Sequence, residues 1–223
     1  MAAVTGVGAR PLETDARLRQ PSGIRLVDDV ADSIEEAILA GQMRPGERLV
    51  ETLLGAELGV SRTTVREALL ALQQRGLVRI EPRRGTFVAR LSREDAVHLC
   101  RSRSLLEACA VYAGYDRLGP EQFEQLQALV DEMATCLLPA DLPRLIRLDR
   151  DFHTLLVDAG ESPSVRELWQ SLNGKMSALI LSSLEHHHAQ VRDVGAFHQA
   201  LLDVVRAGDA ANARAAVTAH YVG

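Results

Sequence analysis

Two groups of side chains in this sequence have the types and spacing for chemistry. The first is Arg62 and Arg66, within Val60-Ser61-Arg62-Thr63-Thr64-Val65-Arg66-Glu67-Ala68-Leu69. Four residues apart on a helix, they project together. Val65, Leu69 and Leu72 recur at helical spacing on another face, and Ser61 is a good N-cap because its hydroxyl accepts from an unpaired first-turn N–H. A helix that buries one stripe and shows two arginines near its start suits the major groove of DNA, where arginine reads guanine. The second group is Asp149, His153, His198 and His220. Asp149 and His153 share a helix face beside Leu145, Leu148, Phe152, Leu155 and Leu156, and the other two histidines follow on later segments among apolar neighbours. One carboxylate and three imidazoles are a donor set for Zn, Ni, Mn or Fe. Spacing alone leaves two readings open: a metal centre, or core histidines satisfied by hydrogen bonds.

Two further features are weaker. His186-His187-His188 is the denser histidine cluster, but consecutive helical residues point in different directions, so it reads as a polar loop or helix end. Arg103 and Glu107 are four apart, with Leu99, Leu106 and Ala110 nearby. They are either an intrahelical surface pair or a semi-buried guanidinium that needs an anion.

The elements that must position these groups follow from periodicity and punctuation. Residues 1–23 are rich in Gly, Pro, Ala and Arg without sustained periodicity and read as a flexible arm. Leu26 to Ala40 is an amphipathic helix stopped by Gly41, and Arg44-Pro45-Gly46-Glu47-Arg48-Leu49 is a turn. Glu51–Leu58, the Gly59-Val60 turn and the helix that Ser61 caps form a helix-turn-helix. Gly76 ends the second helix, and Leu77–Ile80 and Thr86–Ala89 are short strands around the basic tip Glu81-Pro82-Arg83-Arg84-Gly85, a wing. Leu91-Ser92 is the joint to a second half made only of helices. Ser92 caps a helix to about Leu118, and others run from Pro120 to about Leu137 and from about Leu142 to Ala159. A long one spans Ser164 to about Leu184, then Asp193 to Ala207, then a last helix capped by Asp209. The predicted fold is mainly α, a winged helix-turn-helix over 24–90 followed by an all-α bundle over 91–223.

Charge distribution agrees. The 223 residues carry a net charge of −5, which by itself argues against nucleic acid. Yet Arg62 to Arg90 holds seven arginines against two acids, while Leu91 to Gly223 holds 12 basic and 18 acidic residues. A basic recognition segment joined to an acidic partner suits a DNA reader whose other half does something else. No apolar run approaches the roughly 20 residues that span a bilayer, and no signal-peptide core opens the chain. Cys100, Cys109 and Cys136 lack metal-type spacing, so the expectation is a reduced cytoplasm with packing thiols.

Taken together these residues resemble a bacterial GntR-family transcription regulator of the FadR type, with a C-terminal FCD domain. The carriers are Pro45-Gly46-Glu47-Arg48-Leu49, Leu58-Gly59-Val60-Ser61-Arg62-Thr63-Thr64-Val65-Arg66-Glu67-Ala68-Leu69, Gly76-Leu77-Val78 and Arg83-Arg84-Gly85-Thr86-Phe87-Val88. In the second half they are Arg103, Leu106 and Glu107, then Asp149, Phe152 and His153, then His198 and His220. The resemblance implies DNA contacts from Ser61, Arg62, Thr63 and Arg66 and, at the wing, from Arg83, Arg84 and Gly85. Thr52 stands where some members carry a DNA-contacting arginine. The resemblance also implies a divalent metal, zinc first, on Asp149, His153, His198 and His220, at the base of a cavity where a small organic acid binds with Arg103 and Glu107. It implies a homodimer on a pseudo-palindromic operator, acting by default as a repressor released by its ligand. Two rivals stand beside it. One is a DNA binder with a purely structural metal. The other is a metal-dependent hydrolase, which needs an open metal position and a placed base; Glu107 is the nearest candidate and no HExxH pattern is present.

Overall fold

The computed structural model describes residues 23–138, 140–186 and 194–222; the arm (apart from Gly23), His187 and His188 lie outside them. Helix α1 (Gly23–Leu39) packs against α3 (Arg62–Arg75), with α2 (Glu51–Leu58) in front. Gly59 ends α2 in the left-handed conformation, φ 67°, which costs a glycine little. The chain then turns directly into Ser61. The Ser61 hydroxyl accepts from Thr64 N–H at 3.1 Å, the cap expected from sequence. Strands β2 (Val78–Glu81) and β3 (Gly85–Val88) form the wing hairpin, with Glu81 opposite Gly85.

One segment read as a turn is a strand. Arg48–Leu49 (β1) pairs antiparallel with β3, Arg48 opposite Phe87, so the sheet has three strands in the order β1-β3-β2. Two residues are too few to show alternation, and only the partner strand reveals them.

The second half is helical throughout its described residues. Helix α4 (Arg93–Gly114) starts with the expected cap, Ser92 and Asp95 bonding reciprocally. It ends in a 3-10 turn, Tyr115–Arg117. Then come α5 (Pro120–Ala134), α6 (Leu142–Asp158), α7 (Pro163–Gln170), α8 (Asn173–His186), α9 (Val194–Ala207) and α10 (Ala210–Val222). The long helix expected from Ser164 to Leu184 is therefore two helices, α7 and α8, parted at Ser171 and Leu172, with Ser162 the cap of α7. The break redirects α8 onto the recognition helix. A Cβ on Gly174 would stand 1.9 Å from the Arg75 carbonyl oxygen, a separation only glycine permits.

Packing divides into two main cores. Phe152, Leu156, Leu126, Leu202 and Val205 fill the bundle. In the N-terminal core, Ile34 and Ile38 meet Val65, Leu69, Leu72 and Leu77. Leu142 and Ile146 of α6 and Leu181 of α8 belong to that same core, so two bundle helices are packed into the DNA-binding half.

Candidate nucleic-acid interface and metal centre

On the N-terminal half, Arg62, Thr63 and Arg66 stand exposed on the first turns of α3, beside the capping Ser61. The two guanidiniums do not hang free. Glu51, the first residue of α2, accepts from Arg62 Nε at 2.6 Å and from Arg66 Nε at 3.1 Å. Nothing in the spacing points to Glu51, because it lies 11 and 15 residues upstream of its partners. At the wing, Arg83 adopts φ 65° and Gly85 φ 120°. The tip thus turns through left-handed conformations that push Arg83 and Arg84 into solvent. Thr52 is exposed on α2.

In the bundle, helices α6, α9 and α10 bring Asp149, His153, His198 and His220 together. The three imidazoles offer ligand atoms all within 4.8 Å of one another, and a tetrahedral zinc at its usual nitrogen bond lengths would draw such donors to about 3.4 Å. Asp149 Oδ1 lies 3.2 Å from His198 Nε2 and 3.8 Å from His153 Nε2. Each of these rings is held from behind. His153 Nδ1 donates to Glu107 Oε1 at 2.7 Å, and His198 Nδ1 donates to the Val194 carbonyl at 2.8 Å. The protons therefore sit on Nδ1, and the Nε2 lone pairs aim at Asp149. This is the outer support that metal-binding histidines use. His198 Nε2 is buried and has no hydrogen-bond partner among the described residues.

Electrostatics fit the same picture. Burial alone would raise the Asp149 carboxyl, but His198 and His153 more than offset it and hold the group below the usual carboxylate range. Burial, with His153 and His198 beside it, pushes His220 down to about 2, so that ring keeps its lone pair. Burial would lower His198 as well, but Asp149 outweighs it and raises it. Phe152 braces two of the rings edge-on, 5.4 Å from His153 and 5.0 Å from His198, and Phe197 stacks on His220 at 4.2 Å. An anionic carboxylate, the His220 lone pair and a buried His198 nitrogen without a hydrogen-bond partner fit a divalent cation, which would take the place of the proton that Asp149 favours on His198.

The four residues form one wall of a cavity of about 310 Å³, whose other walls include Met176, Leu179 and Ile180 of α8. Cys100 lines it too, and burial pushes its thiol up, so it stays protonated.

Arg103 and Glu107, expected to touch the effector directly, are placed differently. Neither lines the cavity, and both are buried. Among the described residues Arg103 is in no ion pair either. Its Nε donates to the Tyr221 hydroxyl at 2.9 Å, its Nη1 donates to Asn173 Oδ1 at 2.6 Å, and the guanidinium stacks 3.9 Å from the Trp169 ring. Glu107 accepts from His153, from Tyr221 at 2.8 Å and from Trp169 Nε1 at 3.3 Å. Tyr221 thus bridges the two, and burial beside Glu107 holds its hydroxyl well above the usual phenol range. Sequence reasoning missed Tyr221, Trp169 and Asn173, because each acts through a partner 62 to 118 residues away. Both Glu107 oxygens already accept hydrogen bonds and the side chain lies outside the cavity, so it is not placed to act as a base there.

Family models match both halves. The model described as bacterial regulatory proteins, gntR family, covers residues 26–88, and the FCD domain covers residues 98–223. The chain belongs to the GntR family of bacterial regulators. An uncharacterized HTH-type transcriptional regulator of Bacillus subtilis, YdhC, is 28% identical over 192 residues, 85% of each chain. A probable D-xylose utilization operon transcriptional repressor of Paenarthrobacter nicotinovorans is 26% identical over 210 residues, 92% of this chain and 90% of that one. A solved structure of a putative GntR regulator from Rhodococcus sp. RHA1 superposes with a TM-score of 0.72 at 28% identity, over 88% of this chain and 93% of that one. This GntR chain is a DNA-binding transcription regulator, not an enzyme.

Proposed function

We propose that this regulator is a repressor that senses a small organic acid at a divalent metal, zinc first among the candidates, in its FCD bundle. The observation that carries the reading is the convergence of Asp149, His153, His198 and His220 on the wall of the 310 Å³ cavity. The bound ion would supply a Lewis-acidic anchor for a carboxylate. Met176, Leu179 and Ile180 receive the apolar part of the ligand, and the volume suits a small metabolite. Tyr221 faces the ligand, while Arg103 and Glu107 act one layer behind, orienting Tyr221 and His153.

The output is DNA binding. Ser61, Arg62, Thr63 and Arg66 meet the major groove, and Arg83, Arg84 and Gly85 meet the adjacent backbone or minor groove. A homodimer places two recognition helices about 34 Å apart, one turn of a pseudo-palindromic operator. Exposed Leu105 and Tyr112, two turns apart on α4, support self-association through that helix. Release follows only if the effector favours one arrangement of the two halves. Support for that coupling comes from α6 and α8, which line the cavity and also enter the N-terminal core. The family works in the cytoplasm, and no described helix is long and apolar enough to cross a membrane.

Metal analysis of tag-free protein by mass spectrometry tests the reading, with native mass spectrometry for retained acids. One ion per chain, lost in His153→Ala and in His198→Ala, is the expected result. It would justify a screen of carboxylates against operator release. Protein that takes up no metal when offered zinc, nickel or manganese sinks the sensor.

A further inference from the structure

Glu51 gathers both exposed arginines of the recognition helix. It accepts from Arg62 through Nε at 2.6 Å and from Arg66 through Nε at 3.1 Å and Nη2 at 3.2 Å. The arginine side chains are 64% and 57% exposed, so these ion pairs contribute little to folding. What they do is choose an orientation. A guanidinium is a rigid fork with two usable edges. Glu51 takes the Nε–Nη2 edge of Arg66 and leaves the outer Nη1–Nη2 edge, the one that grips guanine O6 and N7. Arg62 is held by Nε alone, with both terminal nitrogens left over. The wing repeats the charge pattern, with Glu81 in ion pairs with Arg79 and Arg84, each at 2.6 Å.

We propose that Glu51 is a specificity-determining positioning residue: it pre-orders Arg62 and Arg66 for base contact and opposes their capture by phosphates of arbitrary sequence. The inference rests on the assignment of those two arginines to DNA. Two physical effects act with opposite sign. Ordering the long side chains before binding removes an entropic cost that falls on the specific complex, where geometry is strict. A carboxylate between two guanidiniums subtracts positive charge from the DNA face, and sequence-independent affinity depends on the phosphates neutralised. Glu51 therefore favours the operator and disfavours everything else.

The test uses the full-length protein and two duplexes: one selected by the wild type from a random library, and a scrambled duplex of the same composition. In Glu51→Gln, affinity for the scrambled duplex rises severalfold, and its salt dependence steepens by about one unit of slope. The ratio of operator to scrambled affinity falls about tenfold or more. Glu51→Asp keeps the charge on a stem one methylene shorter, so it loses the ratio without gaining scrambled affinity. A change that raises or lowers both duplexes equally overturns the proposal, as does an unchanged ratio in a variant with wild-type melting. Arg66→Ala separates the layers. If it leaves operator affinity untouched, the arginine assignment fails and Glu51 falls with it; if it weakens the operator while Glu51→Gln changes nothing, only the Glu51 role fails.

Discussion

Glu107 shows how one buried residue can support a site it never enters. It is fully buried and accepts from an imidazole, a phenol and an indole. Those bonds fix the His153 tautomer and tie Tyr221 to the same point. Glu107→Gln keeps the shape but sets an NH₂ either against His153, at Oε1, or against Trp169 and Tyr221, at Oε2. Metal affinity should fall about 10–100-fold, the usual loss when the outer partner of a ligating histidine goes. Competition against a chromogenic chelator measures it, and an unchanged constant removes Glu107 from the metal's support. Phe152 is the apolar counterpart. It is completely buried and braces both His153 and His198. Phe152→Ala should cost about 3–5 kcal/mol, seen as an earlier denaturant midpoint, and should loosen the metal with it. A variant that keeps full metal affinity would show that the rings hold themselves.

At the scale of elements, α8 carries the most consequential geometry. It begins with Asn173, which accepts from Arg103, and continues with Gly174 against the end of α3. It then lines the cavity with Met176, Leu179 and Ile180 and sends Leu181 into the N-terminal core. Gly174→Ala should push α8 off the recognition helix at an overpacking cost of about 1–3 kcal/mol, or roughly 2–4 °C of melting temperature per kcal/mol in a chain this long. Metal content should stay at the wild-type level while ligand-induced operator release weakens. Unaltered melting would mean that the joint yields freely. None of this joint can be read from sequence, where Ser164 to Leu184 looks like one uninterrupted helix. By contrast α3 can be read almost to the residue, because its cap Ser61, its apolar stripe and its stop Gly76 are all local signals. The histidine set lies between these cases. Spacing by itself favoured core histidines, and it was the family resemblance that turned the expectation toward metal ligands. Arg103 was misplaced because its partners, Tyr221 and Asn173, are 118 and 70 residues away. The strand Arg48–Leu49 was hidden because two residues carry no period.

At the scale of the molecule, the claim to test first is assembly. Leu105 is 68% exposed and Tyr112 53% exposed on α4, and Leu105 is cheap to polarise unless a second chain covers it. Leu105→Glu should convert a dimer to monomer in light scattering while leaving metal content and melting of the single chain nearly unchanged. Operator affinity should drop at least a hundredfold as the second recognition helix loses its tether. A variant that remains dimeric places the interface elsewhere. The shared core has a different consequence, for anyone who wants to reuse this regulator. Biosensor engineering often treats the reader and the sensor of such proteins as interchangeable cassettes joined by a linker. Here Leu142, Ile146 and Leu181 share one apolar core, a common socket, with Ile34, Leu72 and their neighbours. A foreign reader grafted at Leu91 would leave that socket facing water and uncouple the graft from the cavity. A working chimera must therefore carry matching residues at the start of α6 and midway along α8, and the cut that preserves signalling runs through the bundle rather than between the halves.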